Sequence, residues 1–158
     1  MSGSVNNFMK TLIIYESIHH GNTEKVAKKI GEILGAELKH PNEVEFDKLK
    51  NYDLIGFGSG IYFGRFHVAI LKLVKSLPDM AGINAFTFST HGAKNNGMNK
   101  SFISLLAEKS FKMLADFECQ GFDTWGPLKL IGGIDKGRPD ENDLTEAGKF
   151  AENLAINS

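Results

Sequence analysis

The chain has 158 residues, 42% of them hydrophobic and 23% charged, enough for one compact core and too few for a second domain of ordinary size. Its 18 Lys and Arg stand against 19 Asp and Glu for a formal net charge of -1, which excludes the broad positive field of a non-specific nucleic-acid or anionic-membrane binder and points to a small-molecule ligand. The single cysteine, Cys119, excludes an intramolecular disulfide, and no apolar run approaches the roughly 18 residues of a membrane span, so a cytoplasmic chain without membrane insertion is expected.

Met1 to Phe8 is polar and abuts the first apolar run, so residues 1–8 read as an N-terminal extension or expression scar and residues 9–158 as a single domain. Short apolar runs at Thr11 to Tyr15, Ala36 to Leu38, Leu54 to Phe57, Ala85 to Phe88 and Phe117 to Phe122 predict five buried strands. Between them, Val26, Ile30, Ile33 and Leu34 recur at helical spacing, as do Val68, Leu71, Val74 and Leu77, and again Phe102, Leu105, Leu106, Phe111 and Leu114. Gly35 marks the stop of the first helix, and a last helix is expected from about Glu141 to Leu154. Strict alternation of strand and helix favours an α/β fold with a doubly wound parallel sheet in a three-layer sandwich. Ligands of such sheets lie beyond the carboxyl ends of the strands, which directs attention to the loops that begin at Glu16, Gly58, Ser89 and Asp123.

The first of these loops, Glu16 to Glu24, is built from hydroxyls, imidazoles, an amide and a glycine, and it opens a helix. Free N–H groups and the positive end of the helix dipole favour a phosphate there, and Ser17, Asn22 and Thr23 add neutral hydrogen bonds around Gly21. The alternative is an ordinary helix start capped by Asn22 or Thr23. Neither the Walker pattern nor G-x-G-x-x-G occurs, which argues against a nucleoside triphosphate or a dinucleotide. The second stretch, Gly58 to His67, combines three glycines with three aromatics, a mixture suited to a flat conjugated ligand, with Tyr62 the stacking candidate. The alternative places Tyr62 and Phe63 in the core beneath a long loop.

Ser17-Ile18-His19-His20-Gly21-Asn22-Thr23-Glu24-Lys25 after a strand resembles the FMN phosphate loop of the flavodoxin family, whose loop ends G-N-T or G-x-T. The longer S-x-x-x-G-x-T spacing and G-S-x-I-Y-x-G-x-x-H at Gly58 to His67 are similar to the menaquinone-linked protoporphyrinogen oxidase-like branch of that fold. The resemblance spans Met9 to Leu154 and implies a five-stranded parallel sheet in the order 2-1-3-4-5. It implies FMN held non-covalently, with the phosphate at Ser17, His19, His20, Gly21, Asn22 and Thr23. The ring would lie among Ser59, Gly60, Ile61, Tyr62, Phe63 and Gly64, with the peptide nearest it at Gly60-Ile61, and against Ser89, Thr90, His91 and Gly92. The function implied is an electron-transfer protein serving redox partner proteins, expected as a monomer. The alternative is an FMN-dependent oxidoreductase acting on a quinone, a porphyrinogen or NAD(P)H. A phosphoacceptor receiver domain shares the topology but needs an aspartate where this chain has Gly58-Ser59.

No serine or cysteine sits with an evident base, and the histidines match no known ligand spacing, so no catalytic or metal-binding residue is assigned. Cys119 reads as inert core packing. The Gly121 to Pro139 stretch is long enough to be functional, with Trp125 either stacking on a ligand or anchoring the loop. His19, His20, Arg65, His67, His91 and Lys94 give the expected site a basic rim where flavodoxins are typically acidic.

Overall fold

The computed structural model describes residues 9–17, 21–92, 99–121 and 137–157. All five expected strands are present, as β1 (Thr11–Glu16), β2 (Glu37–Lys39), β3 (Leu54–Tyr62), β5 (Asn84–His91) and β6 (Lys112–Gln120). They run parallel in the order β2-β1-β3-β5-β6. One short strand was not foreseen: β4 (Arg65–Phe66) folds back antiparallel on the end of β3. With that strand set aside, the order is the 2-1-3-4-5 of the sequence reading. The helices are α1 (Asn22–Leu34), α2 (Val68–Ser76), α3 (Lys100–Glu108) and α4 (Glu141–Asn157).

A parallel sheet needs cover on both faces, and alternate residues of each strand supply two separate cores. Leu12, Ile14, Ile55 and Phe57 pack with Ile70 and Val74 of α2 and with Phe102 and Leu106 of α3. Ile13, Tyr15, Phe86 and Phe88 pack with Val26 and Ile30 of α1 and with Ala147, Ala151 and Leu154 of α4. Each fully buried Leu, Ile or Phe contributes about 1.5–3 kcal/mol, so the sandwich is held from both sides.

On the second face Leu54 is the β3 side chain in the core, while Gly56 and Gly58 leave the strand bare beyond it and the rings of Phe86 and Phe88 from β5 fill the space; a Cβ at position 56 would stand 2.2 Å from Phe86 Cζ. β3 runs on through Tyr62 and β5 through His91, beyond the loops expected to begin at Gly58 and Ser89, because β3 stays paired with β5 as far as Gly60 and then with β4, and β5 stays paired with β6 as far as His91.

The third helix is shorter than its spacing predicts. α3 stops at Glu108, Ser110 takes a left-handed φ of +70°, and Phe111 drops into the core while Leu114 belongs to β6. Lys109 Nζ donates to the carbonyls of Lys75 and Leu77 at 3.0 and 2.9 Å, tying the end of α3 to the end of α2. The last strand starts at Lys112 rather than Phe117 and ends at Gln120; Phe122 lies outside the described residues. Gly35 closes α1 as expected, at φ +63° with its N–H on Gly31 O.

Candidate functional site

The carboxyl ends of β1, β3 and β5 gather the polar residues of three separated segments. Helix α1 begins immediately after the first of them, and its N-cap is Gly21 at φ +65° with no side-chain cap, so neither Asn22 nor Thr23 caps it. Both are helical residues of the first turn. An α-helix leaves its first N–H groups without intrahelical acceptors; Glu24 N–H finds Ser17 Oγ at 3.2 Å, and Lys25 N–H makes the first regular bond to Gly21 O.

Two neighbouring strands pin this turn. Thr23 Oγ1 lies 2.8 Å from Thr90 Oγ1 at the end of β5, both side chains being buried. Asn22 occupies the space that Gly121 leaves open after β6: a Cβ there would stand 2.5 Å from Asn22 Nδ2. Gly121 N–H in turn donates to His91 O at 2.9 Å. Glu24, the acid of the first turn, forms an ion pair with Lys28 at 2.8 Å, and that hydrogen bond holds its carboxyl below the usual value. His19 and His20 lie outside the described residues.

Sequence reasoning passed over His40. It follows β2, and because β2 pairs with β1 in parallel its ring reaches the start of the loop: Nδ1 lies 3.1 Å from Tyr15 O and 3.7 Å from Glu16, with the ring 4.7 Å from the Tyr15 ring. The available signal was His40-Pro41-Asn42-Glu43, a turn in which Glu43 accepts the His40 N–H at 2.8 Å.

The second segment is a hairpin rather than an open loop. Tyr62 pairs with Arg65 and Ile61 with Phe66. The two residues between, Phe63 and Gly64, have φ of +53° and +76°, the positive pair that a I′ hairpin turn requires. Phe63 is 86% exposed, which overturns the alternative that buried it in the core. Tyr62 is half-buried, its hydroxyl over Gly60 and its ring edge-on to His67 at 5.5 Å. Gly60 and Ile61 are regular strand residues. The Ser59 hydroxyl closes the base of the hairpin, donating to Gly60 O at 2.6 Å and accepting His67 N–H at 2.8 Å. His67 then caps α2, its Nδ1 accepting the Ala69 N–H at 3.0 Å.

At the third segment Ser89, Thr90 and His91 are buried strand residues, and Gly92 follows, half-buried. Ser89 Oγ and His91 Nδ1 are buried without a hydrogen-bond partner among the described residues. His91 Nε2 stands 3.9 Å from Glu118. Lys94 lies outside the described residues, as does Trp125. Where the chain is next described, Asn99 Nδ2 donates to Asp116 on β6, which also accepts the Thr87 hydroxyl at 2.6 Å. Asp116 itself is exposed, and an aspartate inside an apolar strand sequence was the signal for this link.

Beside His91, a cleft of about 340 Å³ opens between the end of β6 and the start of α4, lined by Cys119, Gln120, Arg138 and Asp143 among others. Arg138 grips both carboxylate oxygens of Asp143, while Asp140 and Asp143 exchange backbone N–H bonds at 2.8 and 2.9 Å. Burial opposes ionisation of Asp143, but these bonds outweigh it and hold the carboxyl below its ordinary value. Cys119 is buried as expected, and burial pushes its thiol up to about 12.

Comparison with known proteins agrees with this architecture. The uncharacterized protein MJ0298 of Methanocaldococcus jannaschii is 43% identical over 151 residues, which cover 94% of this chain and 100% of that one. Among solved structures, oxidised Flavodoxin 2 from Bacillus cereus superposes with a TM-score of 0.74 at 20% identity, covering 94% of this chain and 99% of that chain. A flavodoxin from the domain Archaea does so with a TM-score of 0.70 at 18% identity, covering 94% and 98%. At these identities the structural likeness speaks to fold. The family profile described as "Flavodoxin domain" matches residues 12–121, well over half of the sequence, and the chain belongs to that family.

Proposed function

We propose that this protein binds FMN without a covalent bond and passes electrons between redox partner proteins. The observation that carries the reading is the meeting of Thr23 and Thr90 at 2.8 Å, which brings the start of α1 and the end of β5 to one crevice at the carboxyl edge of the sheet. The residues present suit the cofactor. A helix start at a left-handed glycine, which has no capping side chain of its own, turns the positive end of the α1 dipole toward a phosphate. Ser89 Oγ and His91 Nδ1, buried without a hydrogen-bond partner among the described residues, offer polar groups at the strand end where the ring's polar edge would lie.

Ser17, Gly21, Asn22 and Thr23 would hold the phosphate through neutral donors, joined by His19 and His20 of the same loop. Tyr62 and Phe63, with Gly64 completing their turn, would cover the ring, while Ser59, Gly60 and Ile61 keep the hairpin edge in place. Ser89 to Gly92 would meet the ring's hydrogen-bonding edge. When bound, the flavin supplies one- and two-electron transfer. The chain binds it, orients it and limits water around it.

Titration of the purified protein with FMN, FAD and riboflavin tests this. FMN should bind at least tenfold more tightly than riboflavin, since two or three hydrogen bonds to phosphate are together worth about 1.5 kcal/mol or more. Equal affinity for FMN and riboflavin would remove the phosphate cradle. Steady turnover of a quinone or NAD(P)H by the loaded protein, without a protein partner, would favour the enzyme alternative over the carrier.

A further inference from the structure

Thr90 was expected to face the flavin ring, but its hydroxyl is directed elsewhere. Thr23 and Thr90 are 2% and 3% exposed, and their hydroxyls bond only to each other among the described residues. Each hydroxyl has one proton, so the pair uses one internally and keeps one to give away. Which threonine keeps it depends on the direction of the bond. Thr23 stands in the first turn of α1, where the positive end of the helix dipole favours an anion, whereas Thr90 closes the far side on β5. An anion at α1 therefore selects the arrangement in which Thr90 donates to Thr23 and Thr23 donates outward. Thr also populates two χ1 rotamers in a helix, and the bond to Thr90 holds one of them.

Resting on the flavin reading above, we propose that Thr90 is a positioning residue for the phosphate. It orients the Thr23 hydroxyl and commits the Thr23 proton to the ligand, so that discrimination between phosphorylated and unphosphorylated flavin is set in part from β5 by a side chain that does not touch the phosphate. Successive hydrogen bonds in such a chain polarise one another, which strengthens the outer one.

The test compares FMN with riboflavin on wild type, Thr90→Ser, Thr90→Val, Thr90→Ala, Thr23→Val and the Thr23→Val/Thr90→Val double variant, each shown to be folded by its melt. Thr90→Val and Thr90→Ala, either of which deletes the hydroxyl should the other not fold, are expected to reduce the FMN-to-riboflavin affinity ratio about two- to tenfold, the equivalent of one neutral hydrogen bond. Thr90→Ser should retain the ratio. In the Thr23→Val background, loss of the Thr90 hydroxyl should leave the ratio unchanged. Equal weakening of both ligands by Thr90→Val and Thr90→Ala would reduce Thr90 to a packing role and overturn the proposal. An undiminished effect of Thr90→Val in the Thr23→Val background would mean that Thr90 reaches the phosphate itself, which also overturns it. If wild type does not prefer FMN to riboflavin, the phosphate cradle itself falls; that failure is visible before any variant is made.

Discussion

Phe88 lies across Gly58 so closely that a methyl group at position 58 would stand 2.0 Å from its ring Cζ. The Phe88 ring is fully buried, so relieving such an overlap displaces the close-packed side chains around it. Gly58→Ala should therefore destabilise the fold by about 1–3 kcal/mol or more, as overpacking of a core does. Phe88→Leu in the same chain should recover part of the loss. Denaturant melts on the two single variants and the double variant check this; additive losses would show that the cost of Gly58→Ala does not arise from the Phe88 ring.

The hairpin tip makes the opposite prediction. Phe63 holds φ +53° with its side chain in solvent, a conformation that costs most L-residues about 1–2 kcal/mol but suits asparagine. Phe63→Asn should raise stability by about 0.5–1 kcal/mol, and Phe63→Ala should change it little. Tyr62→Ala should weaken flavin binding more than Phe63→Ala, by about 0.5–1.5 kcal/mol for the lost stacking. Melts and flavin titrations on the three variants separate the two roles.

His67 joins the hairpin to α2 through its Nδ1 cap on Ala69. His67→Asn keeps a side-chain acceptor at that position and should leave stability nearly unchanged. His67→Ala should cost about 1 kcal/mol, the usual worth of an N-cap. Urea melts distinguish the pair, and equal losses in both variants would assign the cost to the ring's contact with Tyr62 instead.

Alkaline pH should weaken the fold through two buried acids. Burial pushes the Cys119 thiol from its ordinary value near 9 up to about 12. Burial, then the hydrogen bond and charge of Glu37, push the Tyr52 phenol from 10 up to about 12. A group whose folded pKa is raised contributes stability that is complete below its unfolded pKa and is lost as pH rises through the folded one. Stability should thus hold to about pH 8.5 and fall between about pH 9 and 12, by up to about 1.4 kcal/mol per pH unit for each group. Cys119→Ala should flatten the part of the decline that begins near pH 9 and leave the Tyr52 part. Denaturation at pH 8, 9.5 and 11 reads the slopes, and identical slopes in wild type and Cys119→Ala would clear Cys119 of the effect.

The parts of the fold written in apolar spacing were legible. β1, with five successive buried residues from Thr11 to Tyr15, and α1, with Val26 and Ile30 on one face and Gly35 at its end, stand where spacing and stop signals put them. The site was legible as a set of loops but not as geometry. Gly58-Ser59-Gly60 reads as a turn because glycine and serine usually make turns. Here Gly58 receives the Phe88 ring from a strand thirty residues later and Gly60 lies under the Tyr62 hydroxyl, and only pairing in space shows that. Phe63-Gly64 hides its turn because phenylalanine is a poor left-handed residue. Phe111 and Leu114 fit a helix by spacing, and the left-handed Ser110 that ends it carries no sequence mark as strong as glycine. His40 and Asp116 act through partners on other strands, which periodicity along one segment does not register.

The order of the strands also bears on how the chain behaves at high concentration. Among the described residues the sheet ends in β2 and β6, the two places where another chain's backbone would add. β2 offers only three residues. β6 offers nine, but Lys112, Asp116 and Glu118 place charge along it, and its pairing slips where Ala85 gives way to Phe86. Short edges, charged edges and irregular edges are the features by which β-proteins resist edge-to-edge aggregation, and this sheet carries all of them: β2 is short and bears Glu37 and Lys39, and β6 is charged and irregular.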